Sequence, residues 1–181
     1  RNSPLAALSA QAVLARTWAI ANSHRFEIDG YHLCTDTQCQ VYKDPDKANK
    51  AVGLAISNTR GKVLKWKGKP ISAVYHATNG GISAGANEAW AIKSLPYLRI
   101  FLDGSSRWKN NFSIPLEDGN AVKEILFNRD GAYGNNHHLF RWRRTMNATD
   151  IKKALESNNY KIGTPRQIEV IGRGNSGRVL S

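Results

Sequence analysis

Val74-Tyr75-His76-Ala77-Thr78-Asn79-Gly80-Gly81, continued by Ile82 to Glu88-Ala89-Trp90, is the stretch on which the fold turns. The apolar alternation before Ala77 reads as a strand that delivers an aromatic ring and an imidazole into a turn of paired glycines. Adjacent glycines tolerate positive φ and let backbone N–H groups face a ligand unobstructed. Two readings stand side by side: a plain turn, which is the commoner use of two glycines after a strand, and the rim of a binding site. Alternation places Ile71, Ala73 and Tyr75 on one face and Ser72, Val74 and His76 on the other. Tyr75 and His76 therefore cannot both enter one core.

Working back towards the N-terminus, Val63 to Trp66, a Lys67-Gly68-Lys69 turn and Ile71 to Ala77 predict a β-hairpin. Asp44-Pro45 is expected to open a helix with Ala48, Ala51, Val52, Ala55 and Ile56 as its buried stripe and Gly61 as its stop. Phe26 to Val41 predicts short strands and turns, with Asp29-Gly30 as a hairpin signal. Ser3-Pro4 predicts a helix start with Ser3 as cap, followed by a small-residue stripe of Leu5, Leu8, Ala12, Ala15 and Ala19. Gln11 and Arg16 lie beside that stripe, as anchors of the helix or as ligand contacts.

On the C-terminal side, Pro96 to Leu102 reads as extended, and residues 103–115 as a polar loop around Trp108. Ala121 to Phe127 and Ala148 to Leu155 predict short helices, the second with Asn147 placed to cap it. Gln167 to Ile171, an Asn175-Ser176-Gly177 turn and Arg178 to Leu180 predict a closing strand pair. Helices and strands mix without a βαβ repeat, so the fold class is α+β, and 181 residues suit one domain. Arg1 and Ser181 read as the ends of a fragment cut from a longer or processed chain. No run approaches the roughly 18 apolar residues of a membrane span, so membrane attachment would need a segment outside this chain.

The net charge is +12, from 26 Lys and Arg against 14 Asp and Glu. That excess favours polyanions: nucleic acid, anionic lipid, or the acidic polymers of a bacterial envelope. Basic clusters fall at Lys65 to Lys69 and at Arg141 to Arg144, the second with Trp142 between arginines. Cys34 and Cys39 can close a small disulfide loop, supply half of a zinc site with His32 as a third ligand, or remain free thiols. Glu88, beside the Trp90 indole, is the one carboxylate outside a plain surface context. An aromatic neighbour can raise a carboxyl pKa and make a general acid; the simpler reading is a hydrogen bond that holds its loop over the double glycine. No serine-nucleophile elbow, P-loop, dinucleotide fingerprint or HExxH motif is present, and nothing points to a nucleotide cofactor. The adjacent His137 and His138 read as surface residues.

With these residues laid out, the chain resembles the SpoIID/LytB family of bacterial envelope proteins. Leu8-Ser9-Ala10-Gln11-Ala12-Val13-Leu14-Ala15-Arg16-Thr17-Trp18-Ala19 is similar to the family's leading helix, ALKAQAVAARTYA. Cys34 to Tyr42 is similar to its C-x4-C-Q-x-Y segment, and Tyr75 to Gly81 to its YHS-x-x-GG turn. Pro96-Tyr97-Leu98 and Ser176-Gly177-Arg178-Val179 complete the series in order. The resemblance implies a SpoIID-like domain over residues 1–181, with a leading helix, hairpins and short helices around a glycan-binding groove where the helix meets the double glycine. It implies Gln11, Arg16, Tyr75, His76, Gly80, Gly81, Ser176 and Arg178 as groove residues, with Glu88 beside them.

The activity implied is lytic cleavage of the β-1,4 bond between N-acetylmuramic acid and N-acetylglucosamine, with no cofactor required and at most a structural zinc. A single carboxyl protonates the leaving oxygen while the muramyl C6 hydroxyl attacks, giving a 1,6-anhydro product, unlike the carboxylate pair of a hydrolase. Two departures are visible. Family zinc sites often carry a histidine just before the second cysteine, where this chain has Gln38, which lifts the disulfide alternative. The family's catalytic glutamate precedes the leading helix, at a position upstream of Arg1. The second function class is a non-catalytic module that binds peptidoglycan or enhances a cell-wall amidase; a nucleic-acid-binding role rests on charge alone and ranks last. The implied location is extracytoplasmic, in the bacterial envelope.

Overall fold

The computed structural model describes residues 3–40, 43–90 and 92–181, without the side chain of Lys47. Tyr42 of the C-x4-C-Q-x-Y segment therefore lies outside the described residues. The secondary structure is mixed, with helices prevailing, which fits an α+β class. The chain, read from its sequence as one domain, divides into two compact units, Arg1–His76 and Ala77–Ser181.

In the first unit, α1 (Leu5–Ala21) packs against α2 (Lys50–Asn58) and against a short hairpin of β1 (Lys65–Trp66) and β2 (Lys69–Pro70). The cap of α1 is Pro4 rather than Ser3, and no side chain closes it; the Pro4 carbonyl takes the Leu8 N–H at 3.1 Å. The side chains that α1 buries fully are Thr17 and Trp18, at the end of the small-residue stripe. Thr17 binds in both directions: its hydroxyl donates to the Val13 carbonyl at 2.7 Å and accepts the Leu64 N–H at 3.0 Å. A helix side chain thereby fixes the hairpin's entry.

Three local expectations are corrected here. Asp44-Pro45 opens only a single 3-10 turn (Pro45–Lys47); α2 starts at Lys50, where the Asn49 carboxamide accepts the Val52 N–H at 3.0 Å. Two cap signals lie five residues apart, and the second is the one followed by an uninterrupted apolar spacing. Of its predicted stripe Ala55 is buried, while Ile56 stays 50% exposed. Asp29-Gly30 ends a 3-10 turn (Glu27–Asp29) with Gly30 at φ 80°, not a hairpin. The hairpin turn is Lys67-Gly68 alone, with φ of 48° and 79°, and Lys69 already pairs with Trp66. Positive φ at both central residues matches the strand twist, and pairing ends at Ile71 N–H to the Leu64 carbonyl. The segment from Ser72 to His76, expected as the rest of the strand, is not paired into a sheet and turns locally, with the Val74 N–H donating to the Ser72 carbonyl at 3.0 Å.

The second unit is built on Ile82, Trp108, Leu116, Ile125, Ala132 and Phe140. Trp108 belongs to α4 (Ser106–Lys109), capped by the Ser105 hydroxyl, and is 2% exposed; the polar loop expected there is the centre of the core. Its indole N–H donates to the Asn128 carbonyl at 2.8 Å. A short α3 (Ala86–Ala89) carries Glu88. α5 (Gly119–Phe127) starts two residues before its expected span, under Asp118, which accepts the Asn120 and Ala121 N–H groups at 3.1 Å. α6 (Ala148–Glu156) is capped by Asn147, as expected. The closing strand pair is brief: Arg173 bridges Val179 around the Asn175-Ser176-Gly177 turn, and Ile171 and Gly172 N–H groups reach the Ser181 carbonyl.

Candidate functional site

Cys34 and Cys39 are joined in a disulfide with a Cα separation of 5.7 Å. The loop lies against α1: Arg25 donates to the Gln38 carbonyl at 2.9 Å while its guanidinium sits 5.8 Å from the Trp18 ring centre. Next to the loop, Gln40 donates to the Ala15 carbonyl at 3.0 Å. A zinc site needs thiolates, and here both sulfurs are bonded to each other while a His32 ring nitrogen lies 2.9 Å from the Ser23 carbonyl. Among the described residues no group of three His, Cys, Asp or Glu is gathered for a metal, so these residues do not fit one. Closing a loop this short removes about 2 kcal/mol of unfolded-state entropy. C34S/C39S, or reductant added to the wild type, is therefore expected to lower thermal stability of the first unit by the same increment in both cases. Differential scanning calorimetry checks it.

The remaining sequence-derived candidates divide between the units. Gln11, Arg16, Tyr75 and His76 belong to the first, and Gly80, Gly81, Glu88, Ser176 and Arg178 to the second. Arg16 is an anchor: one guanidinium nitrogen donates to the Thr59 and Lys62 carbonyls at 2.8 and 2.9 Å, tying α1 to the end of α2. Gln11 and His76 are exposed. Tyr75 donates to the Gln40 carboxamide oxygen at 2.6 Å, and Gln40 in turn holds Ala15, so the phenol is coupled to α1.

Burial pushes the Tyr75 phenol above its ordinary 10.0. The raised value means that the neutral phenol favours the folded state, a contribution fully present below pH about 10 and lost as pH rises through the shifted value. Tyr75→Phe is expected to be less stable than wild type at about pH 9, with the gap closing at higher pH. Melting curves between those limits check it.

Gly80 and Gly81 do not offer free amides. Their N–H groups already donate to the Thr78 hydroxyl at 3.2 Å and the Asn79 carboxamide at 2.9 Å. Their φ values are 68° and 94°, and a Cβ on Gly81 would lie 3.0 Å from the Trp108 ring. The second glycine is there for close packing on the core, and the expected ligand-facing rim is corrected to a self-capped turn. What this turn exposes to partners is carbonyls: Arg178 donates to Asn79 and Ile82 at 3.3 and 3.0 Å, and Arg141 donates to Gly80 at 2.7 Å.

The second-unit candidates nevertheless converge. Glu88 accepts the Ser176 N–H at 3.1 Å on one carboxylate oxygen and the Ser176 hydroxyl on the other. Arg178 stands close enough for the Glu88 charge to act on it. Burial lowers the guanidinium's pKa, and the carboxylate opposes that shift. Residues 88 positions apart in sequence thus form one clamp, Glu88–Ser176–Arg178, against the double-glycine turn. Glu88 holds the turn at Ser176, not the loop over the double glycine. With both carboxylate oxygens engaged by Ser176, the arrangement is suited to orienting polar groups.

Sequence reasoning missed Gly174 and Arg141. A Cβ at Gly174 would sit 2.5 Å from Glu88 Cδ and Oε1, so the turn approaches the carboxylate only because that residue is glycine. Arg141, half-buried, spans the Ile125, Leu126 and Phe140 carbonyls as well as Gly80. The basic run at 141–144 was the signal for it, but nothing in a charge run marks which arginine turns inward.

Residues 1–66 match the family described as Stage II sporulation protein, and residues 84–181, just over half of the chain, match a domain of unknown function, DUF8618. The interval between the two matches brackets the division at His76–Ala77. The chain is similar to the amidase enhancer of Bacillus subtilis (strain 168), 39% identical over 94 residues, which cover 52% of this chain and 12% of that protein. It is also similar to stage II sporulation protein D of Bacillus amyloliquefaciens, at 35% over 109 residues, covering 51% of this chain and 31% of the relative. The Bacillus subtilis (strain 168) protein of the same name is 32% identical over 108 residues, with the same coverage. The chain thus spans less than a third of the length of these relatives. Over residues 84–181 the chain belongs to the family DUF8618, and its residues 1–66, with the leading helix and cysteine segment in family order, carry its likeness to the Stage II sporulation protein family.

Proposed function

We propose that this chain acts on the glycan strands of peptidoglycan, as a lytic transglycosylase domain of the extracytoplasmic envelope. The observation that carries the reading is the Glu88–Ser176–Arg178 clamp: a charged, oriented set of donors and acceptors beside a turn of fixed geometry. Such a set suits the acetamido, hydroxyl and lactyl carboxylate groups of alternating amino sugars, with Arg178 as the cation. Tyr75 and the exposed Gln11 and His76 are proposed as sugar contacts of the first unit by itself.

The general acid is proposed to be the glutamate that precedes the leading helix in the family, not Glu88, whose two oxygens are both engaged by Ser176. That acid gives its proton to the leaving N-acetylglucosamine oxygen as the C1–O bond breaks. The muramyl C6 hydroxyl closes on C1, and its proton returns the carboxylate to the acid form. A single acid completes the cycle and no water is consumed. Removing it costs on the order of 10²–10⁴ in rate.

A second reading is favoured by the likeness to the amidase enhancer: the chain holds glycan without cleaving it and presents it to a cell-wall amidase. Digestion of peptide-free glycan strands, with mass spectrometry of the products, separates the two. The protein would carry about 30 further upstream family residues including the glutamate, with its Gln variant as control. Anhydromuramyl ends that vanish in the control support the transglycosylase. Intact strands, still bound, replace it with the amidase-enhancing role.

A further inference from the structure

Away from the Glu88 clamp, the second unit carries an aromatic and cationic surface at the end of α5. Arg141 makes four hydrogen bonds: Nε to the Leu126 carbonyl at 2.8 Å, Nη2 to Ile125 at 2.6 Å, and Nη1 to Gly80 at 2.7 Å and Phe140 at 3.0 Å. It caps the last carbonyls of α5 and fixes the backbone of residues 140–142 to that helix end. As a result Phe127, which follows Leu126, and Trp142, which follows Arg141, are both held at the surface, 79% and 78% exposed. Two large rings left in water on segments pinned together by one guanidinium are not core side chains.

The charge around them is one-sided. Residues 123–146 hold Lys123, Arg129, Arg141, Arg143 and Arg144 against only Glu124 and Asp130. Among the described residues neither Arg143 nor Arg144 has an acid partner; the ion pair that forms is Lys152 with Glu156. The positive charge of Arg129 reaches Arg141 and adds to the lowering that burial imposes on its guanidinium.

We propose that this surface binds an acidic polysaccharide chain, with Trp142 and Phe127 against sugar faces and Arg143 and Arg144 paired with carboxylates or phosphates. The cations alone would serve any polyanion, and the rings give a reason for sugars. Two free arginines suit the sparse charge of a glycan better than the six to ten phosphate contacts typical of DNA binding. A family with a cell-wall role meets such polymers. This inference is independent of the Glu88 site.

The test is titration of the folded chain with polygalacturonate, neutral dextran, poly-L-glutamate and oligo(dT) of matched charge. Polygalacturonate is expected to bind tightest and dextran not at all. Trp142→Ala should weaken polygalacturonate about tenfold, the loss of one stacked ring, and leave poly-L-glutamate unchanged. R143Q/R144Q should weaken both acidic polymers and flatten the salt dependence by roughly one and a half to two units of slope, just under one per cation removed. The proposal is overturned by oligo(dT) binding as tightly as polygalacturonate, by a Trp142→Ala variant that binds like wild type, or by absence of binding altogether. Circular dichroism of each variant confirms the fold, since the substituted residues are exposed.

Discussion

Trp108→Ala is expected to unfold the second unit at temperatures where the wild-type chain is intact. The indole is 2% exposed and lies at the centre of a core with Ile82, Leu116, Ile125, Ala132 and Phe140. Three glycines exist to admit it: a Cβ at Gly104 would come within 2.5 Å of the ring, one at Gly131 within 2.9 Å of the Trp108 Cβ, and one at Gly81 within 3.0 Å of the ring. Those backbones cannot collapse into the space the indole leaves, because their approach is set by turns with positive φ at Gly81 and Gly131. The substitution therefore keeps nearly its full cavity and also strands the Asn128 carbonyl that the indole N–H satisfies. About 3–5 kcal/mol is the expected cost, against a typical domain stability of roughly 5–15 kcal/mol. A midpoint drop of more than about 10 °C in thermal melts checks it; a drop of only a degree or two would mean that the indole is not the packing centre.

Gly174→Ala is expected to separate function from fold. The new methyl would occupy the place of the Glu88 carboxylate, 2.5 Å from its Cδ and Oε1. Because the clashing atoms are the far end of a side chain, Glu88 can swing away and the backbone need not move. The cost is confined to the Ser176 N–H and hydroxyl, on a residue 4% exposed, which lose their acceptor. About 1–3 kcal/mol of stability is expected to go with them, so the chain remains folded. Binding to glycan strands, in contrast, is expected to fall at least tenfold, since the clamp loses its acid and Arg178 loses the charge beside it. Paired melting and binding measurements on this one variant check both halves.

The helices were legible where a capping side chain preceded an apolar period. Asn147 before α6 and Ala121 to Phe127 within α5 follow from local chemistry, and the leading helix follows from its small-residue stripe. Asp44 misled because the turn it opens is ended by the extended backbone of Ala48, and only the spacing beyond Asn49 sustains more. Trp108 was illegible for a different reason. Its burial depends on Gly81, Gly104 and Gly131 coming together from distant parts of the chain, and no window of sequence contains that encounter. The same holds for the site. Ser176 and Arg178 could be named from a family motif and Glu88 from its place beside Trp90, but their union rests on Gly174, which carries no side chain to draw attention. The double glycine admits two readings in sequence, a plain turn and a ligand-facing rim, and Thr78 and Asn79, two residues earlier in each case, occupy its amides in favour of the turn. The two cysteines fitted three chemistries in sequence, with Gln38 lifting the disulfide; their geometry in the loop on α1 is that of a disulfide.

The most direct measurement is cosedimentation of the chain with purified, peptide-free peptidoglycan glycan strands, comparing wild type with Arg178→Gln and Glu88→Gln. Arg178→Gln keeps amide donors for the Asn79 and Ile82 carbonyls while removing the cation, and Glu88→Gln keeps the shape of the clamp while removing its charge. If the clamp holds the glycan, wild type sediments with the strands and both variants, still folded by circular dichroism, lose at least tenfold in affinity. Undiminished sedimentation of both variants would contradict a glycan site at Glu88–Ser176–Arg178.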